Sequence, residues 1–219
     1  MRFLLLLTLL AGATTLSAQF GVSGYYNMNS NTDRAFADLT AGFDPFEVEN
    51  GYEAAVHYWF RLKNKRVEFL PTAYFAFAET PATDSDFNEI GFQFKTNVYV
   101  FDFGGDCDCP TFGKQGPALE KGFFLQLSPG VARYTFGPDA SINTESRTSF
   151  TLGGGIGLDI GVSNLLTITP FAGVRYGLNS NSEVQFTDVN GQPTGIGQAN
   201  LLTTQLGLTV TFRLDKKRY

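Results

Sequence analysis

The sequence predicts an all-β chain, an eight-stranded antiparallel up-and-down transmembrane β-barrel that follows a cleaved signal peptide. Three observations predict it. Apolar residues recur at every second position over long runs, the period of a strand and not of a helix. The positions between them gather glycine and the strand charges. The chain of 219 residues also combines 22 Phe with 24 Gly while only 17 % of it is charged.

Composition narrows the classes. An apolar share of 43 % and an aromatic share of 15 % are too high for a chain that cannot bury surface. Two cysteines close one loop at most, so this is not a disulfide-stapled scaffold. A formal net charge of −5 argues against nucleic acid as a partner. Mean hydropathy is −0.06. Nothing beyond residue 20 has the ~18 consecutive apolar residues of a spanning helix.

Residues 1–18 read as a signal peptide. Met1-Arg2 is a short basic start, Phe3 to Leu10 is an apolar stretch, and Leu16-Ser17-Ala18 ends in a small residue before Gln19. Cleavage there places residues 19–214 in a compartment that permits disulfides. Residues 215–219 form a basic C-terminal tail.

The barrel itself is read strand by strand. A weak run, Phe20 to Met28, opens the mature chain. Strict alternation then follows over Tyr52–Leu62, Val67–Phe77, Ile90–Val100, Phe123–Val131, Phe150–Val162, Leu166–Leu178 and Leu202–Leu214. These runs are longer than the about 5–6 residues of an ordinary strand.

The two faces differ in kind. In the seven strong runs the apolar face carries no charge. The opposite face carries Glu53, Arg61, Glu68, Lys95, Asp159, Arg175 and Arg213, with His57 at the same parity. It also carries glycine at 51, 91, 130, 153, 155, 157, 161, 173, 177 and 207. Glycine weakens a strand, so its concentration on one face needs a cause. A lumen of about eight strands, filled by its own side chains, supplies that cause. Tyr74, Tyr99, Trp59, Phe124 and Phe171 share the inward parity. The apolar face then points outward, where only lipid can cover it all round. Buried charges are tolerated when paired, so the inward charges read as a plug.

The connections agree. Segments 29–50, 79–88, 136–147 and 179–200 are mostly long and polar, and the turns at Asn64-Lys65 and Ser163-Asn164 are tight. Long outer loops with short periplasmic turns are the pattern of outer-membrane barrels. The 104–120 turn, with Asp106-Cys107-Asp108-Cys109, is the long exception on the periplasmic side. Pro71, Pro129 and Pro170 recur at one place in three rising strands, which predicts repeated β-bulges. Arg133 has lipid-face parity near the outer rim unless such a bulge reverses it.

The signal peptide, the eight alternating strands and three stretches together carry a resemblance. The stretches are Phe69-Leu-Pro-Thr-Ala-Tyr74, Leu127-Ser-Pro-Gly-Val-Ala-Arg-Tyr134 and Ile168-Thr-Pro-Phe-Ala-Gly-Val-Arg-Tyr176. With them the chain resembles the small outer-membrane β-barrel proteins of Gram-negative bacteria, over residues 19–214. The resemblance implies outer-membrane lipid and the barrel-assembly machinery as partners. Leu206 to Phe212 looks like the C-terminal assembly signal, with Phe212 or Tyr219 as its terminal aromatic.

Candidate chemistry is sparse. Lipid A acyl-modifying barrels resemble this chain in strand number and use His with Ser. Their His must reach lipid, whereas His57 has lumen parity and no partner at a readable spacing. No catalytic residue, cofactor or metal is therefore expected. Cys107 and Cys109 leave three readings open: a disulfide in a turn, part of a metal site lacking its second ligand pair, or free or intermolecular thiols.

The expected role is structural or one of surface interaction through the outer loops, with a periplasmic or extracellular protein as partner. The alternatives are an accessory of an envelope secretion or conjugation machine, or a small-solute channel. A soluble calyx would need the apolar face inside. The barrel reading predicts membrane fractionation and a gel band that moves on boiling; a urea-soluble chain with one mobility, boiled or not, overturns it.

Overall fold

The computed structural model describes residues 19–37, 48–62, 65–80, 85–101, 103, 118–136, 147–163, 165–178, 184–187 and 193–213. The signal peptide, the tail beyond 213, and Cys107 and Cys109 lie outside these residues.

Strands dominate. They are β1 (Gln19–Ala37), β2 (Gly51–Tyr58), β3 (Phe60–Arg61), β4 (Val67–Thr80), β5 (Ser85–Val98), β6 (Phe123–Phe136), β7 (Arg147–Leu158), β8 (Ile160–Gly161), β9 (Leu166–Leu178), β10 (Val184–Thr187) and β11 (Pro193–Arg213). One short helix, α1 (Ala118–Gly122), precedes β6. It takes up the end of the expected 104–120 turn. β3 continues the line of β2, and β8 that of β7, so the barrel has eight staves.

Each stave pairs antiparallel with its sequence neighbours, and β11 pairs with both β1 and β9 to close the sheet. The closing ladders run from Gln19↔Arg213 and Phe212↔Leu166 upward. Closure leaves no open edge within the barrel wall, as a lipid surround requires.

Alternation decides what faces where. Along β2 every second residue is buried and every intervening one exposed. The buried set includes Glu53, Ala55 and His57, and the exposed set Tyr52 and Val56. A large part of the exposed apolar surface lies on this outward face. Its two halves are unlike. β1 to β5 carry touching rings such as Tyr26, Tyr52 and Phe77, or Phe60, Phe69 and Phe94. β7, β9 and β11 present mostly Leu, Ile, Val and small residues, with the rings of Phe150, Tyr176 and Phe212 towards their ends.

Inside, rings and glycines are matched across strands. Tyr25 stands opposite Gly207, His57 opposite Gly21, Tyr74 opposite Gly91, and Phe124 opposite Gly157. In each pair the ring lies where a Cβ on the glycine would have to be. Phe171 covers Gly155 and Gly173 in the same way. The glycines that weaken the strands are thus the room into which the lumen rings fold, and each ring covers the backbone its partner leaves bare.

Two expectations are corrected. The three prolines make no bulges. Each interrupts the ladder to the preceding strand: Pro71 beside the β2–β3 break, Pro129 beside a gap between Gln93 and Thr96, and Pro170 beside the β7–β8 break. Register is unchanged across every gap, because proline withholds a donor without adding a residue. Arg133 accordingly keeps its outward parity and is exposed. The strands also run further than the alternation suggested. β1 reaches Ala37, β4 and β5 meet across residues 81–84, and the 179–200 segment contains β10 and the start of β11. Polar residues beyond the lipid band carry no alternation signal, yet still pair.

Gly157→Val drives a side chain into the Phe124 ring and is expected to cost about 1–3 kcal/mol. Outward-facing Gly24, with nothing within 4 Å of an added Cβ, should accept Ala with a change of about 0.5 kcal/mol or less. Urea unfolding in lipid vesicles reads both.

Candidate functional site

The inward face forms one continuous polar interior in three tiers. At the loop end Arg175 from β9 reaches across the lumen. Its Nη1 donates to Glu53 Oε2 on β2 at 2.8 Å and its Nη2 to Glu89 Oε2 on β5 at 2.9 Å. The Tyr74 ring stacks 4.4 Å from the guanidinium, and its hydroxyl donates to Glu89 Oε1 at 2.6 Å. Gln205 and Asn27 donate to Glu53 Oε2 at 2.9 and 3.2 Å. Arg175 is 2 % exposed. One guanidinium fork thus ties three staves together.

The middle tier belongs to Lys95, buried at 4 % exposure. Its ammonium donates to Tyr25 Oη at 3.2 Å and lies 4.8 Å from that ring and 5.9 Å from Phe171. Ser23 and Thr209 share a hydrogen bond of 2.8 Å, and His57 Nε2 lies 3.4 Å from Thr211 Oγ1. These groups border a cavity of 30 Å³, room for about two waters.

At the end holding the tight turns, Trp59 Nε1 donates to Glu68 Oε2 at 2.6 Å. Tyr99 Oη lies 2.7 Å from Glu68 Oε2 and 2.5 Å from Asp159 Oδ2, and Thr169 donates to Asp159 Oδ1. Arg66 stacks 4.6 Å from the Tyr99 ring. Arg61 is half-buried and stands opposite Glu68 in register.

Glu53, His57, Glu68, Lys95, Asp159 and Arg175, all read as inward from sequence, are buried in this interior, with Arg61 at its margin. The Arg213 side chain lies outside the description, although its backbone closes the ladder. The sequence reading missed Glu89 and Arg66, at 1 % and 0 % exposure, and the amides Asn27, Gln93 and Gln205. Glu89 and Arg66 stand one residue before the runs that begin at Ile90 and Val67, so extending each run by one position would have found them. Among the described residues no group of three or more His, Cys, Asp or Glu could hold a metal ion.

The arrangement is a packed plug: every tier spans the lumen, and the cavity between them admits nothing larger than water. The closed sheet that surrounds it is similar to those of known membrane barrels. Neisserial surface protein A superposes with a TM-score of 0.50 at 13 % identity, covering 90 % of this chain and 97 % of that one. OprG of Pseudomonas aeruginosa gives a TM-score of 0.50 at 13 % identity over the same shares. The fold is that of the small eight-stranded outer-membrane β-barrels. No protein-family profile matches the chain, and none of the curated proteins does either.

Arg175→Met leaves Glu53 and Glu89 buried without their common cation, and the expected loss of stability is about 3–5 kcal/mol. Urea unfolding of the refolded barrel measures it. A loss below about 1 kcal/mol would mean the two carboxylates are satisfied without the arginine.

Proposed function

We propose that this chain is a non-enzymatic outer-membrane barrel whose work is surface interaction on the loop side, the lumen serving as a structural plug. The observation that carries the reading is where pairing continues after the barrel has ended. β1 pairs with β2 only to Asn27↔Gly51, and β9 with β11 only to Leu202↔Tyr176. β1 and β11 stay paired to each other as far as Ala37↔Ile196, and β10 adds to β11 beside them. Tilted strands of about 9–11 residues cross a bilayer. At 19 and 21 residues, β1 and β11 have length to spare.

Residues 31–37 carry this sheet roughly 20 Å past the level of the last β9 pairing. Among the described residues, β1 above Asn27 and the far side of β10 have no further strand partner. Such edges offer a row of backbone donors and acceptors to an incoming strand of another protein. The lumen filled by its own side chains speaks against the channel reading. The accessory reading rests on residues 104–117, which lie outside the description.

Two measurements test the proposal. Planar-bilayer conductance of the purified barrel should equal the protein-free background, and resolved conductance steps would overturn the plug. Replacing 31–37 together with 193–199 by a short turn should leave heat-modifiable mobility intact while abolishing adhesion or autoaggregation conferred on expressing cells. Retention of that phenotype would remove the projecting sheet from the function.

A further inference from the structure

We propose that the outward wall formed by β6, β7 and β9 holds one acyl chain of a membrane phospholipid at a fixed site. A notch of 270 Å³ opens on the outward surface near α1, lined by Leu119, Phe123, Ile156, Leu158, Pro170 and Ala172 among others. Register explains why it exists. Ala172 stands between Ile156 of β7 and Leu206 of β11, and Pro170 stands opposite Leu208. Two small outward residues between large ones leave a hollow. Leu119, 67 % exposed on α1, walls it at the end where the tight turns lie.

The occupant follows from the surroundings. The lining is apolar, and the notch is continuous with the outward faces of β6, β7 and β9, the surface this fold presents to lipid. An apolar cavity of about 150 Å³ already stays dry and takes a benzene-sized guest. This hollow of 270 Å³, open along one side to the lipid, has room for a stretch of several methylenes. The site also lies beside one of the three interruptions of the wall. The β7–β9 ladder stops at Gly157↔Phe171 and resumes only at Ile160↔Ile168, with Pro170 beside the gap. Phe171 borders both the notch and the lumen cavity. A bound chain packs against this interrupted stretch from outside.

The test uses the full mature barrel in vesicles of phosphatidylethanolamine and phosphatidylglycerol, doped with phosphatidylethanolamine bearing a diazirine on its acyl chain. After irradiation, adducts mapped by mass spectrometry should concentrate on 119–123, 156–158 and 170–172, in excess over the aromatic wall at Phe75, Phe77 and Phe92 per unit of exposed surface. Ala172→Trp fills the notch and should bring that excess down to the level of the aromatic wall, with heat-modifiable mobility retained. Ala172→Leu serves the same end if the tryptophan variant does not fold. Labelling even around the barrel, or labelling unmoved by both substitutions, would overturn the proposal.

Discussion

The double pairing of β11, with β1 on one side and β9 on the other, is the constraint on which the rest of the structure depends. In hydrocarbon an unpaired backbone amide has no water to turn to, so a sheet facing lipid must close on itself. Closure with eight staves fixes the interior at a width that side chains fill. Everything inside must then be small, or must fold onto something small, and the ring-on-glycine pairs are the outcome. Tyr25 over Gly207 and Phe124 over Gly157 are one solution used twice on different sides of the barrel.

Closure also dictates the electrostatics. A charge facing such a lumen is shut off from bulk water and must find its partner there. Arg175 reaches across the lumen to two carboxylates, on β2 and β5; Gln205 and Asn27 donate to the same Glu53 oxygen that it holds, and the Tyr74 hydroxyl donates to the other Glu89 oxygen. The same contacts fasten β9 to β2 and β5 across the barrel, so the plug braces the wall as well as filling it. Lys95, held by a hydroxyl and two rings instead of a carboxylate, stands beside the cavity where the packing leaves space for water.

Much of this interior was legible from parity alone. A residue in a strand has two choices of face, and once one face is known to meet lipid the other is assigned. That logic put Glu53, His57, Glu68, Lys95, Asp159 and Arg175 on the inward face, and all six are buried. It failed at strand ends, where Glu89 and Arg66 precede the first apolar residue of their runs and carry no periodic signal of their own. It misjudged the prolines because a lost donor and an inserted residue leave the same mark in a sequence; only cross-strand register separates them.

By itself the sequence determined the strand period, the sign of each face, the number of staves and hence the closed barrel, because those depend on local alternation and on the solvent each face can tolerate. It did not determine which inward residues meet. Glu53 and Arg175 lie 122 positions apart, and what brings them to 2.8 Å is the stagger of a closed sheet, a global property that no local pattern encodes. The projecting β1–β11 sheet and the notch beside Pro170 were decided by tertiary structure for the same reason. One depends on where neighbouring strands stop, and the other on which side chains stand on either side of a small one.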